Sequence, residues 1–399
     1  MGTTAESKSG LSAYAAFSVL IIAMAWNFEG AAVNPALAAL RAAFPKEPLY
    51  KVLFISTAPF ITSTIVSGLC GWLSGWFDKK HIAVVGLLIY GVSGIVPAYL
   101  HSLDTILVAR LITGVGVGLV LPISAMLIAE HYSGRGKDRM NGLMVAVFNL
   151  ANILVSITVS LLIGFGWQIA FLAFGFILLL LVNTVIGCPS SPPAPRRDDR
   201  QAGAAVGLPP LAFAMFALMA LLWMAFAYLL LSLATFNAAR AIVPMTAVGA
   251  IIAIPGAANA VAALFFPMLG GRRRFLPPLA LAVLAGGFAI AAQSHSLATL
   301  LASCILVGLG QGILVPFVLS VTGSIPQAAA RERSLGLVQS AVHVGPLVAT
   351  FVIPVAIAQA PEDPYAFAYN AAALASLVGA AVSIPATIFA SRGRQHKQA

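Results

Sequence analysis

Charge is what this sequence has least of. Only 9% of its 399 residues are Asp, Glu, Lys or Arg, against about 25% in a soluble protein, whose surface must face water. That shortfall excludes a string of soluble domains. Cysteine is scarce as well. Cys70, Cys188 and Cys304 show no CxxC or Cys/His spacing, so neither a disulfide framework nor a metal site is indicated. No glycine-rich loop ends in Gly-Lys-Ser/Thr and no segment reads His-Glu-x-x-His; both an ATP-driven pump and a membrane metalloprotease lack their motif. No cofactor is expected, and nothing suggests bond-making chemistry.

Apolar residues fill the space instead. They make up 60% of the chain, the mean hydropathy is +0.98, and they come in blocks of about 20, enough to cross ~30 Å of hydrocarbon as helix. The chain reads as a polytopic membrane protein. Breaks in hydropathy place twelve spans at 13–40, 50–75, 82–100, 104–130, 141–165, 167–187, 209–236, 242–269, 276–293, 297–323, 334–359 and 365–390. Twelve spans of ~20 residues leave no room for a separate soluble domain. The first segment is too long for a signal-peptide core and reads as a retained helix.

The formal charge of +10 would suggest nucleic acid in a soluble protein. Its distribution suggests otherwise. With the N-terminus inside, 17 of the 22 Lys and Arg fall on the inner side and 5 on the outer. Both termini are therefore expected in the cytoplasm, and no nucleic-acid partner is expected. Residues 188–208 combine Pro, Ser, Gly and mixed charge and suit a cytoplasmic linker. It would separate six-helix bundles at 1–187 and 209–399.

Those halves are related. A shift of 194 positions lays Gly114, Gly116, Gly118 and Pro122 on Gly308, Gly310, Gly312 and Pro316, and Arg139 and Gly142 on Arg333 and Gly336. It also lays Asp78, Lys79 and Lys80 on Arg272, Arg273 and Arg274. Such a parallel repeat is expected of alternating-access transporters. Gly114 with Gly118, and Gly308 with Gly312, share a helix face and should permit close helix packing.

At this point the chain resembles the major facilitator superfamily. Gly71-Trp72-Leu73-Ser74-Gly75-Trp76-Phe77-Asp78-Lys79-Lys80 resembles that family's G-x-L-a-D-R-x-G-R-R/K loop, with Gly75 at the signature's Asp, Trp76 at its Arg and Asp78 at its second Gly. Arg110 followed by Gly114, Gly116 and Gly118 resembles the fourth-span R-x-x-x-G-x-G pattern. Gly166-Trp167-Gln168-Ile169-Ala170-Phe171 is similar to the G-W-R-x-x-F start of the sixth span, and Val33-Asn34-Pro35-Ala36-Leu37 to a V-N-x-A-L stretch of its drug-exporting branches. The fifth span lacks the G-x-x-x-G-P-x-x-G-G of the drug antiporters, reading Val147-Phe148-Asn149-Leu150-Ala151-Asn152-Ile153-Leu154. The resemblance implies an all-α fold of twelve transmembrane helices in two pseudo-symmetric bundles. It also implies transport of a small molecule, with Gly71, Asp78, Lys79, Lys80 and the four glycines above as the conformational motif.

Few polar groups lie within the spans. Glu29 is the one acid well inside; Glu130 sits at the inner end of the fourth. A carboxylate there costs ~2.5–3.5 kcal/mol on insertion scales, and burial favours its protonated form. Glu29 is read as a proton carrier or as a structural carboxyl held by a neighbouring helix. Arg110 stays charged and is read as its alternating partner or as a cation snorkelling to the interface. His343 is a second proton site or an interhelical hydrogen-bonder. Trp26, Asn149, Asn152, Trp223, Asn259, Gln311 and Gln339 are candidates for the substrate cavity; each also suits packing or interhelical hydrogen bonding. Trp26, three residues before Glu29, is expected on the same helix face, and aromatics beside one acid fit a lipophilic compound, neutral or cationic.

The expected protein is a bacterial inner-membrane secondary transporter, monomeric and driven by the proton gradient. Its expected activity is export of a small organic compound by antiport. Proton symport into the cell is the alternative, and a non-transporting sensor or scaffold is the reading from a different class. The charge asymmetry makes the first prediction. A fluorescent protein fused to the C-terminus should fold and fluoresce, and alkaline phosphatase fused there should be inactive; the opposite pair of results would invert the topology.

Overall fold

The computed structural model describes residues 11–26, 28–193, 207–243, 245–359 and 363–395. Among them there is no strand. Each of the twelve expected spans is helical, and eight of the helices are long and apolar enough to cross a membrane. Helix is the only open-ended element that satisfies every peptide group without water. The centre of the linker, 194–206, lies outside the described residues.

Several spans differ from unbroken rods. The first is divided into Ala13–Ile22, a 3₁₀ turn at Ala23–Ala25, Phe28–Val33, a second 3₁₀ turn at Asn34–Ala36, and Leu37–Ala43. Trp26 closes the first 3₁₀ turn with an extended ψ of 135°, and Pro35 sits in the first turn of the second. The fourth span breaks between Leu103–Val120 and Ile123–His131. Pro122 lacks the N–H that would continue the ladder there. Its repeat partner Pro316 lies inside the continuous helix Leu297–Thr322, so the proline alone does not decide the break.

The described chain forms two compact units, Met1–Leu218 with Leu319–Val344, and Met219–Val318 with Gly345–Ala399. Within the first, the fourth-span glycines serve two faces. A Cβ on Gly114 would collide with Thr62 Oγ1 and the Pro59 carbonyl, and one on Gly118 with Val66 and the Ser63 carbonyl, all on the second span (Leu49–Leu73). Gly116 faces the other way, onto the Gly86 carbonyl and Tyr90 of the third span (Lys79–Ile95).

The second unit repeats this plan. Gly308 and Gly312 lie on the carbonyls of Pro255 and Asn259 in the eighth span (Met245–Phe265), and Gly310 on the Ala280 carbonyl and Leu284 of the ninth (Leu276–Ala292). The offset is 194 for the third and ninth spans but 196 for the second and eighth (Pro59 to Pro255, Ser63 to Asn259). The single shift of 194 therefore fails locally, and Asn259 is the packing equivalent of Ser63.

These contacts leave no room for a methyl group. Gly114→Ala and Gly308→Ala should each lower stability by roughly 1–3 kcal/mol through overpacking. Gly68, in the same second span with nothing within 4 Å of its Cβ position, should accept Ala without loss. Thermal unfolding of the three variants in detergent checks this; equal melting of Gly114→Ala and Gly68→Ala would refute the close-contact reading.

Candidate functional site

Two groups of polar residues stand out in the first unit, one deep in the bundle and one at the end that carries the loop between the second and third spans.

Arg110 anchors the deep group. It is fully buried in the fourth span, its Nε donates to the Ile55 carbonyl of the second span at 3.0 Å, and its guanidinium lies 5.5 Å from the Phe174 ring centroid. A backbone acceptor and an aromatic face thus fix a permanent cation inside the membrane. Glu29 lies in the helix Phe28–Val33; its side chain is outside the described residues.

Trp26 is buried, its ring 5.6 Å from Phe148 of the fifth span, and its Nε1 has no hydrogen-bond partner among the described residues. The extended backbone at Trp26 removes the helical face that the sequence suggested it shares with Glu29. Asn149 and Asn152 each turn their amide back onto their own helix, donating to the carbonyls of Val145 at 2.8 Å and Phe148 at 3.0 Å.

The eleventh span, Ala328–Gln359, brings His343 and Gln339 to this unit. His343 is buried, shares a hydrogen bond of 3.0 Å between its Nδ1 and Ser63 Oγ, and stacks on Phe60 at 4.9 Å. Gln339 donates to the Leu121 carbonyl at 3.4 Å, at the fourth-span break.

In the second unit Asn259 donates to Gln311 Oε1 at 3.0 Å across the eighth and tenth spans. Trp223 is buried against Phe226, and Gly345 packs on Ala220, Trp223 and Met224. A buried Tyr228–Tyr369 contact, with Ser232 Oγ 2.8 Å from the Tyr369 hydroxyl, was not signalled by spacing.

The loop-end group was only half legible. The sequence marks Lys79 both as an inner-side charge and as part of the conformational motif, and its side chain is only 2% exposed. Its ammonium lies 2.9 Å from Glu332 and 3.2 Å from Glu130 and donates to Ser191 Oγ at 3.2 Å. Two carboxylates on one ammonium leave surplus negative charge, which hydroxyls answer. Ser191 Oγ donates to Glu130 at 2.5 Å and Ser74 Oγ to Glu332 at 2.9 Å. Gly71 makes the approach possible, since a Cβ there would lie 2.5 Å from the Arg333 Cα and the Glu332 carbonyl.

Asp78 caps the third span by accepting from the Lys80 N–H at 2.7 Å. It also accepts from the Ser190 hydroxyl and, at 3.1 Å, from the Ser191 N–H. Partial burial disfavours its charge, but those donors and nearby His81 outweigh it and hold its pKa below the usual carboxylate value.

A parallel pair lies alongside. Buried Lys137 donates to the Ser320 carbonyl at 2.9 Å and to Ser324 Oγ, and Asp138 accepts from Ser320 Oγ at 2.5 Å. The repeat held the missed signal: a shift of 194 carries Glu130 to Ser324 and Asp138 to Glu332.

The same glycine packing plan thus recurs in both halves of a helical membrane protein, as a parallel repeat requires. The Major Facilitator Superfamily profile matches residues 9–350, and the chain belongs to that family. It is a multi-pass membrane protein.

Curated relatives match in part. The 4-hydroxybenzoate transporter PcaK of Acinetobacter baylyi is 30% identical over 111 residues, 28% of this chain and 24% of that protein. The arabinose-proton symporter of Bacillus subtilis is 24% identical over 179 residues, 42% and 38% of the two chains. The niacin transporter NiaP of A. baylyi is 27% identical over 141 residues, 35% and 32%. The matched region thus spans a quarter to two-fifths of these relatives' lengths.

Solved structures agree in fold over nearly the whole chain. The proton:xylose symporter XylE has a TM-score of 0.74 at 14% identity, covering 92% of this chain and 94% of that one. The human organic anion transporter MFSD10 has 0.73 at 15%, covering 92% and 99%.

The loop-end group yields a prediction. Lys79→Met leaves the buried Glu332 carboxylate without its cation and should destabilise by about 3–5 kcal/mol. Glu332→Gln should cost less, and Lys79→Met with Glu332→Gln should cost less than the sum. Thermal unfolding of the four proteins gives the coupling; strict additivity would mean the pair carries none. Because the Asp78 pKa is depressed on folding, its contribution is present above its unfolded pKa, about 3.9, and is lost as pH falls through the folded value.

Proposed function

We propose that the protein is a proton-coupled transporter that exports a small, largely apolar organic compound in exchange for protons. Residues 1–187 and 209–399 act as the two rocking bodies, and both termini are cytoplasmic. The observation that carries this reading is the fixing of Arg110. A permanent cation held by the Ile55 carbonyl and the Phe174 face sits in the same unit as the one mid-span carboxylate, Glu29. An arginine cannot release its proton, so the exchangeable proton belongs to the carboxyl. A nearby cation favours the carboxylate and withdrawal into apolar surroundings favours the acid. A cycle that changes this balance loads the proton on one side and releases it on the other.

His343 supplies a second exchangeable position, because protonating Nδ1 would force Ser63 to act as acceptor only. Trp26, Asn149, Asn152 and Gln339 in the first unit, with Trp223, Asn259 and Gln311 in the second, are the side chains proposed to meet the substrate. Aromatic rings with a few amide groups suit an organic compound of modest size.

Import by proton symport is the second reading. It is favoured by the similarity to a named arabinose-proton symporter and by the fifth span, which has no Gly-Pro. Under that reading Glu29 must be protonated before substrate binds, and proton and substrate move together.

Proteoliposomes with an internal pH dye test both, using a panel of lipophilic cations, drugs and aromatic acids. Wild type should show substrate-evoked proton movement that Glu29→Gln abolishes. Proton movement opposite to the substrate gradient supports exchange, and movement with it supports symport. Evoked movement that survives in Glu29→Gln would remove that residue from the coupling.

A further inference from the structure

We propose that Ser191, the fourth residue past the end of the sixth span, is a positioning residue of the transport cycle. In this role it latches the start of the central linker into the loop-end charge group and holds Lys79 between Glu130 and Glu332.

The sequence marks 188–208 as a linker, and linker residues are ordinarily solvated. Ser191 is 1% exposed, and each of its polar atoms is engaged. Its N–H donates to both Asp78 oxygens at 3.1 and 3.2 Å. Its carbonyl accepts from the Lys79 N–H at 3.3 Å. Its hydroxyl accepts from Lys79 Nζ at 3.2 Å and donates to Glu130 at 2.5 Å. With Glu130 and Glu332, Ser191 supplies the third partner that an ammonium requires.

The acid that receives the linker is the one this chain carries off-register. The family's loop signature has its Asp at the position of Gly75, and this chain has its acid at Asp78. At that position Asp78 both caps the third span and accepts from Ser190 and Ser191. The departure from the signature thus places an acid where it holds the start of the linker.

The other end of the group lies on a helix that belongs to both units. Ala328–Gln359 counts with the first unit as far as Val344 and with the second from Gly345. Any movement that withdraws Glu332 from Lys79 must also break the Lys79 ammonium's coordination. Ser191 makes that coordination complete while the linker is seated, so unseating the linker and freeing Glu332 are coupled steps.

The native cysteines report on this without new labels. Cys70 precedes Gly71 beneath Glu332, Cys188 ends the sixth span before the latch, and Cys304 is buried in the second unit; all three are buried and free. The full-length protein is treated with N-ethylmaleimide in proteoliposomes, and each site is quantified by peptide mass spectrometry.

Ser191→Ala should speed alkylation of Cys188 and Cys70 by about tenfold, the effect of losing one charge-assisted hydrogen bond, with Cys304 unchanged. Ser190→Ala, which removes only the exposed hydroxyl on Asp78, should stay within about twofold, as a weaker solvated contact implies. In a Lys79→Met background, Ser191→Ala should add clearly less than it does alone, because one of its hydroxyl's two partners is already gone and only the bond to Glu130 remains. Unchanged Cys70 reactivity in Ser191→Ala, the same increase with and without Lys79, or an equal rise at Cys304 would each overturn the latch. None of these readouts uses substrate or Glu29, so proton coupling can fail while the latch stands, or the reverse.

Discussion

Two helix backbones approach closely only where at least one of them lacks a side chain at the crossing, and in this chain that condition sets the frame of each unit. Lipid gives helices no hydrophobic reason to associate, so packing and interhelical hydrogen bonds must do it. The Gly-x-Gly-x-Gly of the fourth span divides its glycines between two neighbours. Gly114 and Gly118 rest on the second span and Gly116 on the third. Gly308, Gly312 and Gly310 repeat the division on the eighth and ninth. The alternation follows from helical geometry, since residues four apart share a face and those two apart do not.

That frame decides where polar groups can be held. With the second and fourth spans in contact, the Arg110 side chain reaches the Ile55 carbonyl, and Thr62 Oγ1 reaches the Leu111 carbonyl at 2.7 Å. The same second span offers Ser63 to His343 and lets Gly336 approach, where a Cβ would lie 2.8 Å from the Ser67 carbonyl. At the loop end Gly71 does for the eleventh span what Gly114 does for the fourth. Removing a side chain at that crossing is what brings Glu332 within 2.9 Å of Lys79. Small residues and buried charges are thus one arrangement: the first creates the proximity, and the second uses it.

The spans and the repeat were legible because period and length are written locally, in runs of apolar residues and in glycines at fixed spacing. The breaks were less so. Pro122 and Pro316 are repeat partners, yet one interrupts its helix and the other does not; the difference lies in neighbours, which one strand of sequence does not display. Trp26 illustrates the same limit. Helical spacing put it on the face of Glu29, and the extended backbone at Trp26 takes that face away. The motif named Lys79, but its partners were hidden for another reason. A lysine flanking a span reads as an orientation signal, and only the meeting of residues 79, 130, 191 and 332 reveals a buried ammonium. The 194-residue shift did relate Glu332 to Asp138, so the repeat carried more information than the motif did.

The two ends of the first unit ask different things of their charges. Arg110 is bound by a carbonyl and an aromatic ring, partners that do not titrate, and an arginine itself stays charged, so its charge is constant. Lys79 is bound by two carboxylates and a linker serine, partners on separate segments that can withdraw independently. A buried ion pair adds little net stability against an apolar alternative, but losing one partner is costly. An element of that kind is poorly suited to strengthening a fold and well suited to holding one of two states. The deep cation therefore fits the work of tuning a proton site, and the loop-end cation fits the work of deciding when the helices bearing Glu130, Ser191 and Glu332 separate. In the proposed cycle, placing the constant charge inside and the conditional one at the rim lets a single bundle couple a proton to a change of shape.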